Sequence, residues 1–266
     1  MNEGHANTLV VTLVTITNLL LAFLVSGIVI WVLGEDPWFA LKTMLYGAFG
    51  YDEGLGYTLY YTTNFIFTGL AFAVGFHCGL FNIGAEGQAY IGGLGVGLVC
   101  LWLENWPLWL VFPLAVLASI VLGGLWGAIP GYLKAKRGSH EVVTTIMFNF
   151  IASVVMVNLL SHVLRPPKEM SPESREFGEG VWIPQMHEIF EWFGIEITQT
   201  PLNGTFIFAL ICLFLVWRFI WYTRWGYELR TVGTNETAAV YAGISVSKNI
   251  IRSEEHTSEL QSHLNL

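Results

Sequence analysis

The chain has 266 residues, of which 54% are hydrophobic and only 12% charged, a balance far from that of a soluble domain and typical of a protein that lives in lipid. Its 12 Lys and Arg against 20 Asp and Glu give a formal charge of −8, so no basic surface is available to neutralise phosphates, and nucleic-acid binding is excluded as a main function. Cys78, Cys100 and Cys212 stand far apart inside apolar runs, without zinc-site or disulfide spacing, and read as small core hydrophobes.

In chain order, six runs long enough to cross a hydrocarbon core, uncharged apart from Arg218 near the end of the last, are separated by charged or Pro-marked breaks. They cover residues 8–33, 57–76, 88–103, 106–133, 142–164 and 205–221. The first is too long and lacks the small-residue cleavage site of a signal peptide, so it is expected to be a retained helix. The third is short and glycine-rich, and the fourth is expected to break near Pro130; everything between the runs is expected to be loop. The fold class predicted is an all-α polytopic transmembrane helix bundle of six spans.

Lys134, Lys136 and Arg137 after the fourth run, with Arg218, Arg224, Arg230 and Lys248 around and after the sixth, mark one side as cytoplasmic. The other side is acidic, with Glu35, Asp36, Asp52, Glu53 and Glu104. A long loop over residues 165–203 carries Arg165, Lys168 and Arg175 against seven glutamates and can translocate regardless of charge. The six runs then alternate with both ends cytoplasmic. Trp102, Trp106 and Trp109, and likewise Trp217, Trp221 and Trp225, fall at run ends, where amphipathic rings favour the interface. Gly93 and Gly97, and Gly123, Gly127 and Gly131, recur every fourth residue and predict close helix packing.

Residues 79–88 place Asn82, Glu86 and Gln88 among three glycines between two apolar runs. Polar, irregular backbone at membrane depth is tolerated where it is buried in protein or lines a cavity, which makes these residues substrate-pathway candidates. The competing reading is a tight turn in which Asn82 and Glu86 cap the next helix. Asn64 and Asn149, amides away from the interface, either bond across helices or face the permeation route.

Residues 76–88 resemble the signature of permeases of ATP-binding-cassette importers of the branched-chain amino acid and sugar class, in the branch that carries nucleosides and simple sugars. Residues 134–152 are similar to that branch's basic loop and Asn-bearing helix, and residues 226–244 to the cytoplasmic loop that grips the ATPase. The three matches keep the family's order, although His77 and Cys78 stand where related permeases often carry a basic and a small residue. The resemblance implies a transport subunit without cofactor, metal or catalytic residues. The resemblance further implies a place in the bacterial cell (inner) membrane and, as partners, cytoplasmic ATPase subunits, a second permease subunit and an extracytoplasmic substrate-binding protein. It also implies an ATPase coupling loop containing Gly226, Arg230, Gly233, Asn235, Ala238, Ala239 and Gly243. In that loop the glycines are expected at turns or caps around a short helix at 236–241. Ala238, Ala239 and Ala242 would supply a small-residue contact face, and Arg230 and Glu236 ion pairs at its rim.

No Walker A sequence is present, so ATP hydrolysis must come from another polypeptide. The runner-up reading is a proton-coupled secondary transporter using Glu86 as a relay. Residues 252–266 are abruptly polar and resemble translated sequencing adapter; the alternative is a genuine disordered terminus. With residues 252–266 set aside as a non-native tail, the permease domain covers 1–251 with 11 basic residues against 17 acidic. The chain is then expected to lack further spans that related permeases carry.

Overall fold

The structure, a computed structural model, describes residues 3–262 except 168 and 196, without the side chains of residues 3–9, 179, 258, 259, 261 and 262. Lys168 of the long loop and the last four residues of the expected tail therefore lie outside the described residues. The protein is all-α among the described residues, apart from one isolated bridge between Gln185 and Asn203.

Two compact units are present, one comprising residues up to 58 with 197–199 and the other comprising the remainder. The first holds α1 (Glu3–Val32), α2 (Pro37–Phe49) and the opening turns of α3 (Asp52–His77). Helix α2 occupies a stretch expected to be loop: Asp36 accepts from the Trp38 amide at 2.9 Å as N-cap, and Pro37 sits at the first helical position, where its missing N–H costs nothing. The Thr58 hydroxyl donates to the Ala48 carbonyl at 2.9 Å and ties α3 to α2.

The second unit continues α3 and adds α4 (Ala85–Trp102), α5 (Leu108–Arg137), α6 (Glu141–Leu159, extended by a π-helical turn to Leu164) and α7 (Met186–Glu191). It is completed by α8 (Thr205–Tyr222), α9 (Arg224–Thr234), α10 (Glu236–Tyr241) and α11 (Val246–Ser262). Among the described residues, five helices are long and apolar enough to cross a membrane: Val10–Val32, Asp52–His77, Leu108–Arg137, Glu141–Leu164 and Thr205–Tyr222. The third expected span corresponds to α4, which is not among them. Glycines at 87, 92, 93, 95 and 97 dilute its apolarity, and it packs against α5, α6 and α11.

Pro130 does not break α5. It is buried inside a helix that continues to Arg137, so the hydrogen bond its missing N–H forgoes and the crowding of its ring on the preceding turn do not end α5. The close approach of α4 to α5 runs through Gly95, where a methyl group would lie 2.8 Å from the Ala118 carbonyl oxygen, whereas one on Gly97 would meet only the Phe177 ring, at 3.9 Å. Gly123, Gly127 and Gly131 are buried as the fourfold spacing predicts.

Helix α11 covers most of the expected non-native tail. It crosses α5 at Gly131, where an added Cβ would meet the Glu254 Cβ at 3.0 Å, and it buries Ser253, Glu254 and Thr257. One core cluster gathers Val74 of α3, Cys78 and Leu80 of the turn after it, and Ile220, Leu229, Val232, Ala239 and Ile250 of α8–α11. A smaller one packs Phe67 of α3 on Ala209 and Cys212 of α8.

Candidate functional site

The basic end of the second unit brings two separately read motifs into contact. Helix α3 closes in a Schellman motif: the Leu80 amide donates to the Gly75 carbonyl and the Gly79 amide to the Phe76 carbonyl, both at 3.0 Å, with Gly79 at φ +76°. This left-handed residue lies against Gly233 of α9. A Cβ on Gly233 would stand 2.8 Å from the Gly79 nitrogen and closer still to the His77 carbonyl oxygen, so backbone touches backbone only because neither residue has a side chain. Gly233 is thus a close-approach residue inside a helix and not a turn, which corrects its expected role.

Beyond Gly79, the turn into α4 is held by amide side chains. The Asn82 carboxamide oxygen accepts from the Gly84 amide at 2.6 Å, and its nitrogen donates to Gln88 Oε1 at 3.3 Å. Both side chains are buried, Gln88 at 1% exposure. From α6, Asn149 reaches across: its oxygen accepts from the Gly87 amide and its nitrogen donates to the Ile83 carbonyl, both at 2.9 Å. Gly87 is the third residue of α4, so Asn149 satisfies one of the amides a helix start leaves open. The Gly87 Cα can sit there because a Cβ would be 2.9 Å from Asn149 itself.

Glu141, first residue of α6, accepts from the Phe81 amide at 3.0 Å and pairs with Lys134 of α5 at 3.2 Å. These contacts join the turn to the α5–α6 hairpin. Lys134 and Glu141 both lie in the 134–152 stretch that resembles the family's basic loop, and the sequence signal for their pairing is two opposite charges flanking Gly138, which ends α5 in the left-handed region at φ +66°. A polar cleft of about 270 Å³ opens here between Lys134, Glu141, Asn235 and Glu236. Cys78, under Ser253, has its thiol pushed up to about 12, chiefly by burial and against the Ser253 hydrogen bond.

Glu86 is exposed at the start of α4 and accepts from Tyr90 at 3.0 Å, so it stands outside the buried amide cluster. Asn64 is half-buried in α3, about 20 Å along the helix axis from His77 by the helical rise, and does not join the cluster.

The α9–α10 segment forms as its caps dictate. Thr223 accepts from the Gly226 amide at 3.0 Å to start α9, and Gly226 is buried where α8 hands over to α9. Asn235 accepts from the Ala238 amide at 3.0 Å to start α10, whose limits Glu236–Tyr241 are those expected. Gly243, at φ +75°, closes α10 in a second Schellman motif, with Ile244 N–H on the Ala239 carbonyl at 2.9 Å. Ala239 is fully buried in the chain's own core and does not belong to an outward face. The helical period puts Ala238, Tyr241 and Ala242 outside instead, Tyr241 at 90% exposure. The Arg230 guanidinium lies 4.6 Å over the Trp221 ring, on which His77 packs edge-on at 5.8 Å.

The family described as "Branched-chain amino acid transport system / permease component" matches residues 54–253. The chain is 34% identical to the guanosine ABC transporter permease protein of Bacillus subtilis over 241 residues, 91% of this chain and 67% of that protein. It is 30% identical to the nucleoside ABC transporter permease protein NupB of Lactococcus lactis, over 91% of this chain and 66% of the relative. A glucose ABC transporter permease protein of Haloferax volcanii is 29% identical, over 86% and 60% respectively. The chain thus spans about two thirds of the length of these relatives. No solved structure matches it.

Proposed function

We propose that this chain, which belongs to the permease-component family of the branched-chain amino acid transport systems, is the membrane subunit of an ATP-driven importer. Its cargo in this reading is a nucleoside or simple sugar delivered by an extracytoplasmic binding protein. It works with cytoplasmic ATPase subunits and a second permease subunit, and carries no cofactor of its own. The chain is a multi-pass protein of the cell (inner) membrane and a transport component, not an enzyme.

The observation that carries the reading is the backbone contact of Gly233 on Gly79. The exposed face of α10, with Ala238, Tyr241 and Ala242, is the surface offered to the ATPase. Displacement of α10 moves α9, α9 bears on the Gly79 turn, and that turn is bonded through Asn82 and Asn149 to the start of α4. A push at α10 therefore tilts α4 against α6, a rigid-body route from the nucleotide cycle to the helix bundle. In this mechanism Asn82, Gln88 and Asn149 hold the moving end of α4, and Asn64, deeper in α3, is the amide placed to meet cargo. The relatives that transport guanosine, nucleosides and glucose by name support a polar, uncharged cargo. The proton-coupled alternative is disfavoured by Glu86, which is exposed and bonded to Tyr90 and sits in no buried relay.

The test is uptake of radiolabelled guanosine into proteoliposomes holding this chain with its ATPase and permease partners, binding protein added outside. Uptake that requires ATP and persists when the proton gradient is collapsed is expected. Uptake abolished by an uncoupler and indifferent to ATP would overturn the proposal.

A further inference from the structure

At the end of the second unit away from α9 and α10, helices α4 and α5 and the segment around residues 177–185 enclose a cavity of about 270 Å³. Its floor is apolar, with Val111 at 1% exposure. Three rings line it, Phe112, Phe177 and Trp182, together with two carboxamides, Gln185 and Asn203. These groups are held in place by the surrounding fold. The Trp182 indole N–H donates to the Phe177 carbonyl at 3.2 Å, and Phe112 packs edge-on against Phe208 of α8 at 5.7 Å. Residues 185 and 203 face one another in the isolated bridge, flanked by a 2.7 Å hydrogen bond from the Met186 amide to the Leu202 carbonyl. The Asn203 oxygen is occupied by the Thr205 amide at 3.1 Å, so the polar capacity that its side chain retains is the NH₂ donor.

The chemistry selects among small polar ligands. A free sugar carries hydroxyls around its whole rim, and two amides on an apolar floor would leave most of them buried without partners, each at a cost. A flat heterocycle has two π faces for the rings to cover and a few acceptors on one edge, which suits three aromatics and amide donors. The volume, close to the lower end of the range for small-molecule pockets, holds one base and excludes an oligomer.

We propose that this cavity is a recognition site for the planar base of a nucleoside, the ribose trailing toward solvent. Its physiological meaning rests on the importer reading; the binding itself does not. The base is selected by ring stacking on Phe177 and Trp182 and by donation from the Gln185 and Asn203 amides to its ring nitrogens or carbonyl oxygens.

The experiment is equilibrium binding of tritiated guanosine to this chain alone in lipid nanodiscs, with inosine, hypoxanthine and D-ribose as unlabelled competitors. Saturable binding, displaced by inosine and hypoxanthine and not by D-ribose in about a hundredfold excess, is expected from stacking selection. Trp182 is 64% exposed, so variants there leave the core intact. Trp182→Ala should weaken guanosine binding about tenfold or more, and Trp182→Phe, which keeps a ring, should stay within about threefold of the parent. Absence of binding, competition by D-ribose as strong as that by hypoxanthine, or an unaltered affinity in Trp182→Ala would each overturn the proposal. The importer reading fails separately, through absence of ATP-dependent uptake in the assembled complex, whichever way the binding result falls.

Discussion

Gly233 is the residue whose smallness has the widest consequence. Its Cα meets the His77–Gly79 backbone directly, and a methyl group there has rigid main chain, not a flexible side chain, to displace. Gly233→Ala is expected to destabilise the chain by about 1–3 kcal/mol through overpacking and to detach α9 from the end of α3; a lower thermal midpoint in detergent checks this, and an unchanged midpoint would remove the contact from the mechanism. Asn149 acts at the same junction through hydrogen bonds. Asn149→Leu leaves the Gly87 amide and the Ile83 carbonyl without partners, at about 1–3 kcal/mol for each such group that stays dry. Raised amide exchange in residues 83–88 is the expected signature, with exchange elsewhere unaltered. Cys78 offers a chemical probe of the same region. With its thiol held up to about 12 and its side chain 4% exposed, it carries almost no thiolate at pH 8 and is expected to resist N-ethylmaleimide until the protein is unfolded.

At the scale of elements, α10 separates two roles that look alike in sequence. Neighbouring alanines fall on opposite sides of one short helix, Ala239 in the core and Ala238 outside. Ala238→Glu combined with Tyr241→Glu is expected to abolish co-purification with the ATPase while leaving the thermal midpoint of the chain close to the parent. Ala239→Glu is expected to lower that midpoint, because it forces a carboxylate among Val74, Ile220 and Leu229. Equal behaviour of the two variants would show that α10 is not oriented as described. Helix α5 teaches a related lesson, since Pro130 sits in mid-helix without ending it.

Across the whole second unit, the docking of α11 is tied to pH. Burial pushes the Glu254 carboxyl up to about 8, with the Glu141 charge adding to the effect. An unfolded carboxyl titrates near 4.3, so between about 4.3 and 8 the folded state binds the extra proton and stability falls as pH rises. The thermal midpoint is therefore expected to be higher at pH 5 than at pH 8. Glu254→Gln should flatten that dependence, and a midpoint that instead rises over this interval, unchanged by the substitution, would contradict the burial of Glu254.

The sequence by itself determined that this is a helical membrane protein, where its apolar helices lie, and which family it resembles, because apolar length, composition and cap residues act locally. Asn235 and Gly243 delimit α10 at the positions the sequence marks, since an N-cap and a left-handed terminus need no distant partner. Local signals also account for α2: Asp36 and Pro37 mark its start as plainly as any cap, in a stretch too short between spans to be expected as anything but loop. Tertiary structure alone decided how the amides are used. Asn82 and Asn149, 67 residues apart, both bind the start of α4, and no period in either segment records that meeting. The same holds for Gly233 against Gly79, for the stack of Arg230 on Trp221, and for the aromatic cavity between α4, α5 and a distant segment. Each depends on the packing of helices far apart in the chain, and side-chain period reports which face of a helix is apolar, not which neighbour covers it.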